Sequence, residues 1–223
     1  MNTARASSHE SKASPNSHAA PIVFVVDGDD SVRQSLELLI QSAGWQAEVF
    51  ACAQEFLSRS RVMAPSCLIL DATLPDLNGL DLQKLVADRI EMPVIFITAR
   101  ADCRTTVRAL KAGAVDFLTK PIHNEVLLVA IRHAIERSHA ALRHEAQIQP
   151  LRERYASLSR REREVIALVV SGRLNKEVGG ELGISEITVQ AHRGRVMQKM
   201  RAGSLAGLVN MAARLPLTPG PRD

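Results

Sequence analysis

Residues 67–80, CLILDATLPDLNGL, run from a continuous apolar stretch into an aspartate and then into a turn-rich segment. What Asp71 means depends on what the rest of the chain sets beside it. Three other apolar runs end on a residue able to do chemistry. PIVFVVD (21–27) ends on Asp27, MPVIFIT (92–98) on Thr98, and AVDFLTK (114–120) on Lys120, directly before Pro121. Near-continuous apolar strands are the mark of a parallel sheet covered on both faces. In such a sheet ligands gather outside the carboxyl ends of the strands, so these four residues should meet in one pocket. A carboxylate flanked by a second acid, a hydroxyl and an ammonium suits an acceptor of a phosphoryl group. The second acid would hold Mg²⁺, and the hydroxyl and ammonium would bind phosphoryl oxygens.

Working outward, strands are expected at Ile22–Val26, Ala47–Phe50, Cys67–Leu70, Val94–Thr98 and Val115–Leu118. Amphipathic helices alternate with them at Ser31–Ser42, Gln54–Arg59, Leu80–Asp88 and Cys103–Lys111, with a fifth from Asn124. Five strand–helix repeats give an α/β domain. Asp30 or Ser31 can cap the first helix, and Gly44 and Gly113 stand where helices should stop. The fifth helix is expected to run to Gln149, where Pro150 interrupts it. Its apolar positions Leu128, Ile131, Ile135, Ala141 and Leu142, with Ala134 and Ser138 between, approach a heptad seam. That seam either packs on the sheet or faces a partner. Beyond Pro150 no strand pattern returns. Four short helices are expected at Arg160–Ser171, Asn175–Leu182, Glu186–Arg201 and Leu205–Arg214, punctuated by Gly172, Gly183 and Gly203.

The chain has 223 residues, 46% of them hydrophobic, enough for two small packed domains. No apolar run approaches the ~18 residues that span a bilayer, and residues 1–20 have no apolar core of a secretory signal. Residues 1–20 are expected to be a disordered tail and 215–223 a flexible one. Cys52, Cys67 and Cys103 lack metal spacing and suit reduced thiols of a cytoplasmic protein. Charge is divided. Residues 21–120 carry ten Lys/Arg against thirteen Asp/Glu, and residues 151–223 thirteen against seven. A basic helical end suggests a polyanion partner.

The motifs VVD, LILD…LPDLNGL, VIFITA and KAGAVDFLTKP resemble the receiver domain of two-component response regulators, over residues 21–140. The resemblance implies a flavodoxin-like, doubly wound, five-stranded parallel sheet. It makes Asp71 the phosphorylation site, Thr98 the switch hydroxyl, Lys120 the phosphoryl-binding lysine and Phe117 the aromatic switch. Plain core packing also accounts for Phe117. Mg²⁺ would be held by Asp27, Asp71 and the carbonyl of Thr73, and the Lys120–Pro121 bond would be cis. One position departs. The family pattern has two adjacent acids after the first strand, whereas here Gly28 follows Asp27. Asp29 is the candidate replacement, acting through a water, and the alternative is a weakened metal site. An atypical receiver that works without phosphorylation follows from that alternative. A rival of another class is a haloacid dehalogenase-type phosphatase, with Asp27 in VVDGDD as nucleophile and Asp29 as acid/base. No acidic pair follows Lys120, and that rival leaves Asp71 and the basic module idle.

In residues 158–214 a helix, a short turn and a second polar, basic helix suit the major groove. A basic bundle that binds protein is the plainer alternative. LSRREREVIALVVSG, NKEV…LGIS, TVQAHRGRVMQKM and SLAGLV resemble the LuxR/FixJ-type (FixJ/NarL) helix-turn-helix domain. That resemblance puts Thr188, Gln190, His192 and Arg193 near DNA and lets Lys176 touch phosphate. Arg195 or Lys199 would join them, and His192 has an alternative role in hydrogen bonding to the core. Gln190 suits adenine N6/N7. Gly179 and Gly180 should each cost the supporting helix about 1 kcal/mol. Residues 141–157 would form a helical linker. The expected protein is a non-enzymatic, cytoplasmic transcriptional regulator with no membrane contact. Its partners would be a sensor histidine kinase, double-stranded DNA, a second copy on activation, and RNA polymerase.

Overall fold

In this computed structural model, residues 20–99 and 103–215 are described. The tails expected at 1–20 and 215–223 lie outside them, apart from Ala20 and Leu215. Five strands pair in parallel in the order β2-β1-β3-β4-β5. They are β1 (Ile22–Val26), β2 (Gln46–Phe50), β3 (Ser66–Asp71), β4 (Val94–Thr98) and β5 (Asp116–Thr119). The three central strands are buried along their length, which is why their sequences do not alternate. Chain order reverses between β1 and β3, so the crevice of this doubly wound sheet opens beside Asp27 and at Asp71.

Helices cover both faces. Phe24, Leu68, Leu70 and Phe96 pack under α2 (Ala53–Ser58), α3 (Gly79–Leu85) and α4 (Cys103–Lys111). Val23, Val25, Ile69, Ile95 and Ile97 pack under α1 (Asp30–Ser42) and the first turns of α5 (Asn124–Ala156). The heptad-like seam of α5 is used here. Ile131, Ala134 and Ile135 lie against the sheet. Ser138, fully buried, accepts from Ser66 N at 2.9 Å and donates to the Glu91 carbonyl. From Leu128 to Ser138 the seam therefore faces its own sheet, and Ala141 and Leu142 beyond it are half-buried. Gly44 and Gly113 adopt φ of +85° and +94° just past α1 and α4, as helix stops require.

Two expectations are corrected. The cap of α1 is Asp29, not Asp30 or Ser31. Asp29 is extended, and its Oδ1 accepts from Ser31 N at 2.9 Å and Val32 N at 3.4 Å. Asp30 already lies in the first turn, where its carboxylate binds Arg33 and Gln34. Pro150 does not interrupt α5, which continues to Ala156. A proline inside a helix costs about 3 kcal/mol. Ile148 and Leu151 on either side of it are buried with Leu158, Ile166 and Met200, and each such burial is worth about 1.5–3 kcal/mol.

The chain divides into compact units at Leu142/Arg143. The second contains the end of α5, α6 (Arg160–Val170), α7 (Asn175–Leu182), α8 (Glu186–Met200) and α9 (Leu205–Ala213). Ser159 and Glu162 close a reciprocal capping box on α6. Val165, Val169, Val178 and Val189 form the small core under the α7–α8 turn.

Candidate functional site

The strand ends bring Asp27, Asp71 and Lys120 together. Lys120 Nζ lies 2.6 Å from Asp27 Oδ2 and 2.6 Å from Asp71 Oδ2. Both carboxylates are buried. Burial works against the ammonium, but its hydrogen bonds to the two aspartates and their charges outweigh that and raise its pKa above the ordinary lysine value. The other oxygens are placed by backbone. Asp27 Oδ1 accepts from Asp29 N at 2.9 Å, and Asp71 Oδ1 from Thr73 N at 2.8 Å. Arg33 NH1 donates to the Asp27 carbonyl at 2.7 Å and so ties α1 to the end of β1. Thr98 is buried at the end of β4, and its carbonyl accepts from Lys120 N at 2.8 Å. The Lys120–Pro121 peptide is cis, as the resemblance implied. The half-buried Phe117 ring stacks on Phe96 with centroids 5.8 Å apart.

The donor set suits a hard divalent ion. Asp27 and Asp71 share one crevice, and Thr73 lies next to it with a carbonyl to offer. Mg²⁺ is commonly held by one or two carboxylates while it keeps several waters. Asp29 uses its Oδ1 to cap α1. Gly28 is exposed, and a Cβ built on it would meet Pro75, Cδ at 3.4 Å and Cγ at 4.0 Å.

Two positioning residues escaped the sequence reading. A Cβ on Gly79 would fall 2.5 Å from the Asp71 carbonyl oxygen and 3.0 Å from Ala72 Cα. Only glycine lets α3 begin so close to the strand that carries Asp71. The Asn78–Gly79 turn signal was legible, but not what it approaches. Asp76 accepts from Ala53 N at 3.1 Å and Gln54 N at 2.9 Å, capping α2 from the loop after Asp71. That contact joins residues far apart in sequence and leaves no local pattern.

In the helical unit, Lys176 and Gln190 are exposed. The Thr188 hydroxyl is 2.8 Å from that of Ser185, the cap of α8. Arg193 is half-buried and donates to Asn175 Oδ1. His192 is half-buried, and its buried Nδ1 has no hydrogen-bond partner among the described residues. Lys199 is drawn away from the polar face. Its Nζ binds Glu162 Oε2 at 2.7 Å and the Ser157 carbonyl at 3.2 Å. That hydrogen bond outweighs desolvation and holds the Glu162 carboxyl below its usual range. Arg195 is exposed.

Residues 23–132 match the response regulator receiver domain, and residues 156–212 match the bacterial regulatory proteins of the luxR family. The chain belongs to the FixJ/NarL-type two-component response regulators. It is 45% identical to nodulation protein W of Bradyrhizobium diazoefficiens over 88% of this chain and 87% of that protein. It is 38% identical to the transcriptional regulatory protein FixJ of the same organism, over 86% and 94%. The structure of response regulator StyR covers 88% of this chain and 100% of its own, at 41% identity and a TM-score of 0.70. This regulator thus joins a receiver to a DNA-binding domain and acts in transcription. Among the described residues no helix is long and apolar enough to cross a membrane.

Proposed function

We propose that Asp71 is the phosphoacceptor of this regulator and that its phosphorylation, by a sensor histidine kinase, controls DNA binding. The observation that carries the reading is Lys120 Nζ held 2.6 Å from both Asp27 and Asp71. A carboxylate oxygen of Asp71 attacks phosphorus, an acyl phosphate forms, and the phosphorus–nitrogen bond of the kinase's phosphohistidine breaks, leaving the imidazole. The incoming anion meets a fixed ammonium, so charge that develops on the phosphoryl oxygens is met without reorganisation. Asp27, Asp71 and the Thr73 carbonyl would hold Mg²⁺, which supplies further charge neutralisation when bound. Once phosphorylated, Asp71 carries about −1.5 to −2 charge and competes with Asp27 for Lys120. Thr98 closes on the phosphoryl group and Phe117 moves with it. The receiver then dimerises in the cytoplasm and sets two helical domains on DNA, where RNA polymerase is the downstream partner. In those domains Lys176, Thr188, Gln190, His192 and Arg193 are the residues nearest DNA.

Incubation with acetyl phosphate and Mg²⁺ should add one phosphoryl group by intact mass, and Asp71→Asn should add none. Equal labelling of the variant would move the acceptor elsewhere, with Asp27 next in line. Gly28, together with the capping role of Asp29, favours a second reading, an atypical receiver that works unphosphorylated. Unlabelled parent protein that still binds its DNA tightly would select that reading.

A further inference from the structure

We propose that Ile187 is a sequence-reading residue of this regulator, contacting the C5-methyl group of one thymine in each half-site. The proposal rests on the DNA-binding role of the helical domain and deepens it. Single exposed apolar residues are ordinary; the position of this one is not. Ile187 is 81% exposed, the most exposed large hydrophobic side chain among the described residues. It sits in the first turn of α8, and the N-terminal residues of a recognition helix are those that meet base edges. The polar residues around it, Ser185 and Thr188, are accounted for. Ser185 caps the helix, and the Thr188 hydroxyl is held by Ser185.

The face around Ile187 is shaped for close approach. At helical spacing it continues through Gln190, Ala191 and Gly194, all exposed. Val189, Val196 and Met200 bury the opposite face. A glycine inside a helix costs about 1 kcal/mol relative to alanine. Among the described residues, nothing apart from its chain neighbours and the helix's own backbone lies within 4 Å of where a Cβ on Gly194 would stand. Packing within the protein therefore does not require it, and it leaves room for a surface brought against α8. That face carries no charge from Ile187 to Gly194; the exposed Arg195 at its edge is the cation suited to phosphate. The face presents one amide, Gln190, and one branched alkyl group, Ile187. In the major groove the only apolar feature a base pair offers is the thymine methyl, so the two side chains suit an adenine and a nearby thymine.

The test separates the methyl from everything else in the base pair. The full chain, treated with acetyl phosphate, would select duplexes from a random pool, and each thymine of the recovered half-site would be replaced singly by uracil. One replacement should weaken binding of the parent about fourfold, the worth of one buried methyl. Ile187→Ala should bind the thymine duplex more weakly by a similar factor or more and be indifferent to that same replacement. Ile187→Val should lie between. Non-specific affinity and melting temperature should be unchanged in both variants. Equal sensitivity to uracil in parent and Ile187→Ala, or no sensitive thymine, would overturn the assignment to Ile187. A pool that yields no enriched sequence would instead defeat the DNA-reading role on which the proposal rests.

Discussion

At the scale of single residues, the departure at Gly28 carries the sharpest expectation. Asp27, Asp71 and Lys120 were legible because each ends an apolar run. The use of Asp29 was not, since a cap and a metal-facing acid have the same letter and differ only in where the carboxylate points. In the structure Oδ1 of that carboxylate accepts from Ser31 N and Val32 N. Asp27 and Asp71 are the two acids held on Lys120, and position 28 has room for a third, a built Cβ there meeting Pro75 Cδ at 3.4 Å and Cγ at 4.0 Å. Two unit charges 4 Å apart are worth about 1 kcal/mol even in bulk water, and about twice that against a divalent ion. Gly28→Asp should accordingly lower the Mg²⁺ dissociation constant by at least about tenfold and speed labelling by acetyl phosphate. Calorimetric titration is the suitable readout. The lone tryptophan, Trp45, precedes Gln46, which pairs with Ile22 at the amino end of β1, away from the site. Unchanged affinity in Gly28→Asp, with tight binding by the parent, would show that the existing groups already suffice.

At the scale of elements, the paired glycines of α7 divide into one that packing demands and one that it does not. A Cβ on Gly179 would stand 2.7 Å from the Ile184 carbonyl oxygen, in the turn that leads to α8. On Gly180 it would meet nothing within 4 Å. Gly180→Ala should therefore stabilise the helical domain by about 1 kcal/mol through helix propensity alone. Gly179→Ala should destabilise it by about 1–3 kcal/mol, the cost of overpacking, and should weaken DNA binding by displacing the turn. Urea denaturation of the two variants decides the matter, and equal effects would remove the packing argument. The sequence could price both glycines but not tell them apart, because the difference lies in a backbone oxygen five residues away across a turn. Strands were more legible, β1, β3 and β4 each being one apolar run, while β5 falls at Asp116–Thr119 and not Val115–Leu118. Their ends shifted by a residue where polar Gln46 and Ser66 continue the pairing with Ile22. Pro150 misled for a related reason. A local breaker was weighed without the burial of Ile148 and Leu151 around it.

At the scale of the whole molecule, an acidic receiver and a basic DNA-binding domain were visible in the charge counts, ten Lys/Arg against thirteen Asp/Glu and thirteen against seven. What couples them was not, and the structure narrows the options. The seam of α5 lies against its own sheet as far as Ser138, so that stretch is not waiting for a second copy. If phosphorylation acts through dimerisation, its effect on DNA binding must be geometric. A lone helical domain gains nothing from it, while two domains held together make binding of the second half-site intramolecular, a gain of 10²–10⁴ where the spacing permits. Treatment with acetyl phosphate should therefore tighten binding to a duplex with two half-sites by at least about tenfold and leave a single half-site unchanged. Five extra base pairs between the half-sites should cancel the gain, since that turns the second one to the far side of a helix repeating every ~10.5 base pairs. Asp71→Asn should bind both duplexes as the untreated parent does. A phosphodonor gain of equal size on single and paired half-sites would rule out dimerisation as the coupling and place the effect within one chain.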